Sequence, residues 1–210
     1  MPKVSEEHKR QREQEILHAA KKVFIRKGFE RTTMKDVVDE SGFSRGGVYM
    51  YFSDTEEMYH RIIDQETNEA LLTIKNKLNS SASIWTILEE FLNQLEFLPF
   101  KDENSMVPVQ WEYAISSLRQ SKRKQFVSNR FTDIHVFFTS LLNEGVSRKE
   151  FTPIQSTSVI ALVLIGMIDS ISLYSQLSND EVGKSDEQIK AIKIYLKSAL
   201  NLDGVDTDTM

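Results

Sequence analysis

Two helix-start signals, Thr33 and Ser44, flank a helix-stop signal at Gly42, and that order constrains the fold more than any other feature of the chain. After Thr33, Met34, Val37 and Val38 recur at i, i+3 and i+4, and Asp36 stands where the carboxylate of a capping-box variant belongs. A short amphipathic helix is predicted there. Gly42 ends it, because glycine reaches the left-handed conformation that closes many helices. Ser44 then caps a second helix in which Val48 and Phe52 point inward at i+4 spacing, leaving Arg45, Gly46, Gly47, Tyr49 and Tyr51 outward. Two short helices joined so tightly form a helix-turn-helix.

The outward residues suit DNA. Arg45, in the first turn of the second helix, carries a planar fork that matches the two acceptors on a guanine edge. Consecutive glycines inside a helix each cost about 1 kcal/mol relative to alanine, so Gly46 and Gly47 need a compensating reason, and close approach of the backbone to DNA is one. Tyr49 and Tyr51 can donate hydroxyls to phosphate oxygens, which sets register but not sequence. A bland alternative is that the same spacing serves packing alone. A sharper one is that Gly42, Phe43, Ser44, Arg45 and Gly46 satisfy the Gly-x-Ser-x-Gly pattern of a hydrolase nucleophile elbow. That elbow requires a buried strand before the serine, and the preceding residues read as helix.

From Ile16 to Met58 the sequence resembles the DNA-binding domain of the TetR family of bacterial transcriptional regulators, and within it the YfiR-type members. The resemblance implies a homodimeric repressor, without catalytic activity or cofactor, that a small, largely apolar ligand releases from a palindromic double-stranded DNA operator. Residue by residue, it implies DNA contacts at Thr33, Lys35, Ser44, Arg45, Gly46, Gly47, Tyr49, Tyr51 and Thr55. The last is a departure, since many members carry a lysine where this chain has Thr55, and Asp54, Glu56 and Glu57 oppose phosphate nearby.

A formal net charge of -5 is unexpected in a DNA binder, but the charge is unevenly spread. Residues 1–53 hold 11 Lys plus Arg and 8 Asp plus Glu, or +3; subtraction from totals of 26 and 31 leaves 15 and 23, or -8, for residues 54–210. Attraction to phosphate is therefore local. Lys3, Lys9, Arg10 and Arg12 form a basic arm that either tracks DNA or is a solvated chain end. With no cysteine, disulfides and thiolate metal sites are excluded, and His8, His18, His60 and His135 lack metal-ligand spacing, so no metal is expected. The longest apolar run, Val159 to Ile168, is shorter than the roughly 20 residues that span a membrane, and the charged N-terminus has no apolar signal core. A cytoplasmic protein with no membrane partner is expected.

The rest of the chain reads as helix, which gives an all-α fold of about nine helices: an N-terminal three-helix helix-turn-helix DNA-binding domain at 1–53, a C-terminal helical ligand-binding and dimerisation domain at 54–202, and a disordered tail at 203–210. The first helix is expected from Glu6 to Lys27. The fourth, opened by a Ser53–Glu56 capping box, should run to Leu78. After a break at 79–83, a fifth should end at Pro99, and a sixth should start around Pro108. A seventh should close near Gly145, an eighth should cover 156–177, and a ninth should open on a Ser185–Gln188 capping box. Trp85, Met106, Gln110, Trp111, Tyr113, Phe138 and Asp169 are candidates to line a ligand cavity, although aromatics at helical spacing more often fill a core. Ile160, Val163, Met167, Ile171, Ile189, Ile192 and Leu196 are candidates for a dimer seam. An alternative function is a DNA-bound scaffold whose C-terminal domain holds a protein partner instead of a small ligand.

Overall fold

The structure, a computed structural model, describes residues 6–78, 82–97, 104–177 and 185–202. Nine α-helices lie among them: α1 (Glu6–Lys27), α2 (Met34–Ser41), α3 (Arg45–Tyr49), α4 (Thr55–Leu78), α5 (Ile84–Phe97), α6 (Val107–Ser117), α7 (Ser121–Ser147), α8 (Thr157–Leu177) and α9 (Ser185–Leu200). The expected break at 79–81, the stop at Pro99, the arm residue Lys3, the capping side chain of Ser185 and the tail at 203–210 lie outside the described residues.

Two compact units emerge, and they do not follow the 53/54 boundary suggested by the motif. One, the head, comprises the described residues of Met1–Leu72 and Asp102–Ser116; the other, the body, those of Thr73–Lys101 and Ser117–Met210. The head therefore holds α1 to α3 together with α4 through Leu72 and α6 through Ser116. Its centre is aromatic. Phe24 of α1, Phe29, Tyr59 of α4 and Tyr113 of α6 are all buried, with Phe29 edge-on to Tyr113 at 4.8 Å between ring centroids and Tyr59 stacked on Tyr113 at 4.2 Å. Ile16, Ala20 and Val23 of α1, Val37 of α2 and Val48 of α3 are buried as well, as their helical spacing predicts.

In the body, α5, α7, α8 and α9 surround a core that includes Leu88, Leu92, Leu142, Ile160, Leu164, Ile192 and Leu196. The α7–α8 corner supplies partners to two helix ends, the first of which also carries a local cap, Ser83 Oγ accepting the Thr86 N–H at 3.0 Å. Glu150 Oε2 accepts the N–H groups of Ile84 (2.6 Å) and Trp85 (3.4 Å) at the start of α5. The N–H groups of Thr152 and Ile154 donate to the Leu200 and Ala199 carbonyls at the end of α9, each at 3.0 Å. Such groups, buried without partners, would each cost as much as a lost hydrogen bond.

Three expectations need correction here. Gly145 does not close α7. The helix runs on to Ser147, and Gly145 is buried where a Cβ would lie 2.1 Å from Cε2 of Phe151, so the glycine makes room for a ring. The apolar stripe chosen as dimer seam is largely the inward face of its helices. Ile160, Ile171, Ile189, Ile192 and Leu196 are buried within one chain and only Val163 and Met167 are half-buried, which leaves Val159, Leu162, Tyr174 and Leu177 of α8 and Ile194 of α9 as large apolar side chains open to solvent. Finally, α8 is long and apolar enough by composition to cross a membrane, its most apolar 18-residue stretch having a mean hydropathy of 1.8. Ile160, Ala161, Leu164, Ile165 and Ile171 nevertheless sit in the body core.

Candidate nucleic-acid interface

Each of the first helices after α1 is positioned by a cap. Thr33 Oγ1 accepts the Asp36 N–H at 3.3 Å, and Asp36 Oδ2 accepts the Thr33 N–H at 3.0 Å and its hydroxyl at 2.8 Å. Lys27 donates to the other carboxylate oxygen at 2.6 Å, and the Lys27 and Thr33 hydrogen bonds hold the Asp36 pKa down at about 2. Gly42, at φ 70°, ends α2 in the left-handed region. Ser44 Oγ accepts the Gly47 N–H at 3.1 Å. Ser44 thus joins two helices and caps the second, which rules out the strand-borne nucleophile that a hydrolase elbow needs.

On α3, Val48 is buried while Arg45, Gly46 and Tyr49 are exposed and Gly47 is half-buried; the helix ends before Tyr51, which is half-buried, and Phe52, which is buried. The Arg45 guanidinium lies 5.4 Å from the Tyr49 ring centroid, a cation–π contact that holds it on the outer face. The two glycines differ. A Cβ on Gly47 would press to 3.2 Å from the capping Ser44 Oγ, so an internal reason for that glycine exists. A Cβ on Gly46 would meet nothing within 4 Å, so nothing in the chain itself demands glycine there.

Thr33 and Lys35 are exposed at the start of α2, and Thr55 is half-buried at the start of α4. The cap of α4 sits one residue later than the sequence suggested. Asp54 Oδ1, not Ser53, accepts the Glu57 N–H at 2.8 Å, and Glu57, not Glu56, reaches back to the Ser53 N–H at 2.8 Å and its hydroxyl at 2.9 Å. Two of the three carboxylates that oppose phosphate, Asp54 and Glu57, are therefore engaged with their own helix start. Of the basic arm, Lys9, Arg10 and Arg12 belong to α1. Lys9 pairs with Glu6 at 2.8 Å, and Arg12 lies 6.0 Å from the Phe43 ring, beside the α2–α3 turn.

Behind this surface stands α6, whose role the sequence hid. Glu112 Oε2 accepts the Phe29 N–H at 2.7 Å and Oε1 accepts the Glu30 N–H at 3.2 Å. Tyr113 donates its hydroxyl to Glu56 Oε1 at 3.0 Å and lies 2.7 Å from His60 Nε2. Because that hydroxyl's one proton goes to the carboxylate, the imidazole must be the donor in the second bond. These bonds join residues more than fifty positions apart, and no local pattern announces them.

The cavity candidates are divided between the two units. Met106, Gln110, Trp111 and Tyr113 belong to the head, where Met106 and Tyr113 are buried and the other two half-buried; Trp85, Phe138 and Asp169 belong to the body. Phe138 is buried in the core, and Trp85 packs against it with Lys197 5.4 Å from its ring. Asp169 is exposed, yet desolvation by the atoms around it raises its pKa, with Arg130 pulling the other way.

Residues 16–62 match the family model described as bacterial regulatory proteins, tetR family, and residues 87–185 match that described as tetracyclin repressor-like, C-terminal domain. The chain is 42% identical over 205 residues to the HTH-type transcriptional regulator YfiR of Bacillus subtilis (strain 168), covering 96% of this chain and 98% of that one. It is 22% identical over 139 residues to the HTH-type transcriptional repressor KstR2 of Mycobacterium tuberculosis (strain ATCC 25618 / H37Rv), covering 66% and 68%. Among solved structures, a TetR transcription regulator from Haloarcula marismortui ATCC 43049 superposes with a TM-score of 0.77 at 15% identity, covering 91% of this chain and 99% of that one.

Proposed function

Because the chain belongs to the TetR family of bacterial transcriptional regulators, we propose that it acts as a homodimeric repressor released from a palindromic operator by a small, largely apolar ligand. It is a helix-turn-helix DNA-binding regulator and not an enzyme, and it works where the chromosome lies, in the cytoplasm. The observation that carries the DNA-reading assignment is the bare face of α3: Arg45 and Tyr49 exposed beside Gly46, at which the chain leaves open the space of a side chain. A base edge approached that closely is read by Arg45, while Thr33, Lys35, Ser44, Gly47, Tyr49, Tyr51 and Thr55 serve phosphate contact and register.

Dimerisation uses the outward faces of α8 and α9, where Val159, Leu162 and Ile194 are exposed apolar residues with no role in the body core. A two-fold pair would present two α3 helices to successive major grooves, roughly 34–36 Å apart. Ligand binding in the body releases DNA by favouring a dimer whose heads stand at the wrong separation, to the extent that the ligand binds that state more tightly. Support comes from the C-terminal match to a repressor-like domain and from the repressor named among the relatives.

Capture of genomic fragments by the purified chain, followed by competition with every base of the recovered site substituted in turn, tests the reading. A roughly palindromic site is expected. Arg45→Ala should relax preference at one base in each half-site, at a cost of about 1–3 kcal/mol. Recovery of fragments with no shared sequence would refute specific operator binding, and an even loss across all bases would make Arg45 a phosphate contact.

A further inference from the structure

Helix α6 enters the chain well after the DNA-reading motif, yet through Ser116 it belongs to the same compact unit. Its two adjacent side chains Glu112 and Tyr113 leave the helix in different directions, because successive residues point about 100° apart. Glu112 goes to the turn between α1 and α2. There Gly28 stands at φ 81°, and a Cβ on it would come within 2.6 Å of Glu112 Oε2, so glycine is needed both for the backbone and for the approach of the carboxylate. The Phe29 and Glu30 N–H groups beyond it both point at Glu112. The turn is closed from within by Thr32, which is buried and donates its hydroxyl to the Gly28 carbonyl at 2.7 Å. Thr33, the next residue, caps α2.

Tyr113 goes the other way, to the first turns of α4. Its ring stacks on Tyr59, and its hydroxyl sits between Glu56 and His60, which are one helical turn apart. One short stretch of α6 thus grips the turn that leads into α2 and the first turns of α4, the helices on either side of α3.

We propose that Glu112 and Tyr113 are positioning residues for DNA binding: from α6 they fix the starts of α2 and α4, and with them the phosphate contacts on either side of the reading helix. The inference rests on the proposed phosphate contacts of Thr33, Lys35 and Thr55. A carboxylate bound to two amide N–H groups holds the turn far more firmly than a neutral acceptor, since both bonds are charge-assisted. Any displacement of α6 is then transmitted to both helix starts together, while α3 keeps its own cap at Ser44.

The test compares the full chain with Glu112→Gln and Tyr113→Phe. The first keeps the side chain's length but turns an NH2 group toward one of the two N–H donors; the second keeps the ring stack and removes only the bridging hydroxyl. Amide exchange needs no DNA. At a temperature where circular dichroism shows every variant fully folded, the Phe29 and Glu30 amides should exchange faster in Glu112→Gln. Operator affinity, on the site recovered by fragment capture, should fall about fivefold or more in that variant, a typical scale for coupling between sites. The slope of log affinity against log salt should become shallower by roughly 0.9 for each phosphate that is no longer neutralised, which a purely structural role would not produce in a folded protein. Tyr113→Phe should show a smaller loss of the same kind, and serves alone should Glu112→Gln fail to fold. Unchanged operator affinity and salt slope in a folded variant would overturn the positioning role and leave operator binding by the parent intact. A parent chain that prefers no DNA sequence would overturn the functional reading itself.

Discussion

The helix starts of the reading motif are closed by residues next door, whereas two helix ends in the body also draw on residues from far along the chain. Thr33 with Asp36, Ser44 with Gly47 and Asp54 with Glu57 each close a helix start across three positions. In the body, Glu150 holds the start of α5 from the far side of α7, and the N–H groups of Thr152 and Ile154 close the end of α9. The reading motif can therefore close its helix starts from local signals, while the body adds to its local caps at Ser83 and Ser156 contacts that form only when distant segments meet. A surface that must present a fixed face to DNA gains from being specified locally.

The strongest test of that contrast sets two neighbours on α9 against each other. Ile192 is 2% exposed and Ile194 is 70% exposed. Ile192→Arg puts an unpaired charge into the core and should cost the body about 4 kcal/mol or more, seen as an early loss of helicity on heating. Ile194→Arg should change stability by no more than about 0.5 kcal/mol. It should instead yield monomers in sedimentation and weaken operator binding. A dimer unaltered by Ile194→Arg would place the seam elsewhere.

Next comes the long-range cap. Glu150→Ala strands the Ile84 and Trp85 amides and should cost about 2 kcal/mol in urea unfolding, while amide exchange in the head stays unchanged. Equal loosening of both units would mean that the local caps do not make the head self-sufficient.

A smaller and opposite-signed effect is expected on α3. With nothing within 4 Å of its Cβ position, Gly46→Ala should raise stability by about 0.5–1 kcal/mol and yet weaken operator binding. Gly47→Ala, pressed against Ser44 Oγ, should bring no such gain. Were Gly46→Ala to bind operator as well as the parent, close approach at that glycine would be refuted. The slightest change concerns Thr55→Lys, which should leave melting untouched, tighten binding to operator and scrambled DNA alike, and steepen the salt slope by roughly 0.9. An unaltered slope on both DNAs would turn Thr55 away from the phosphates.

The same contrast explains what the sequence made legible. The bounds of α1, the capping box at Thr33, the stop at Gly42, the cap at Ser44 and the inward pair Val48 and Phe52 all follow from residues within a turn or two of each other. The cap at α4 was misplaced by one residue because Ser53, Asp54, Glu56 and Glu57 offer two overlapping versions of one pattern, and only geometry selects between them. Periodicity identified an apolar stripe on α8 and α9 but could not say whether the stripe faced the chain's own core or a partner. Glu112 and Tyr113 were invisible as head residues, since what defines them is a turn and a helix far earlier in the chain.

The ring of Phe151 occupying the place of a Cβ on Gly145 carries a historical consequence. Neither site can change freely without the other. A larger residue at 145 is blocked while the ring is present, whereas loss of the ring first leaves a void costing about 3–5 kcal/mol if truncated to alanine. Any lineage that replaces this glycine must therefore reach the new pair through an intermediate with a smaller or displaced residue at 151, and it can cross only when stability elsewhere is sufficient to carry that void. Relatives should accordingly divide into those with glycine and a ring and those with a side chain at the first site and a smaller group at the second, with mixed pairs scarce.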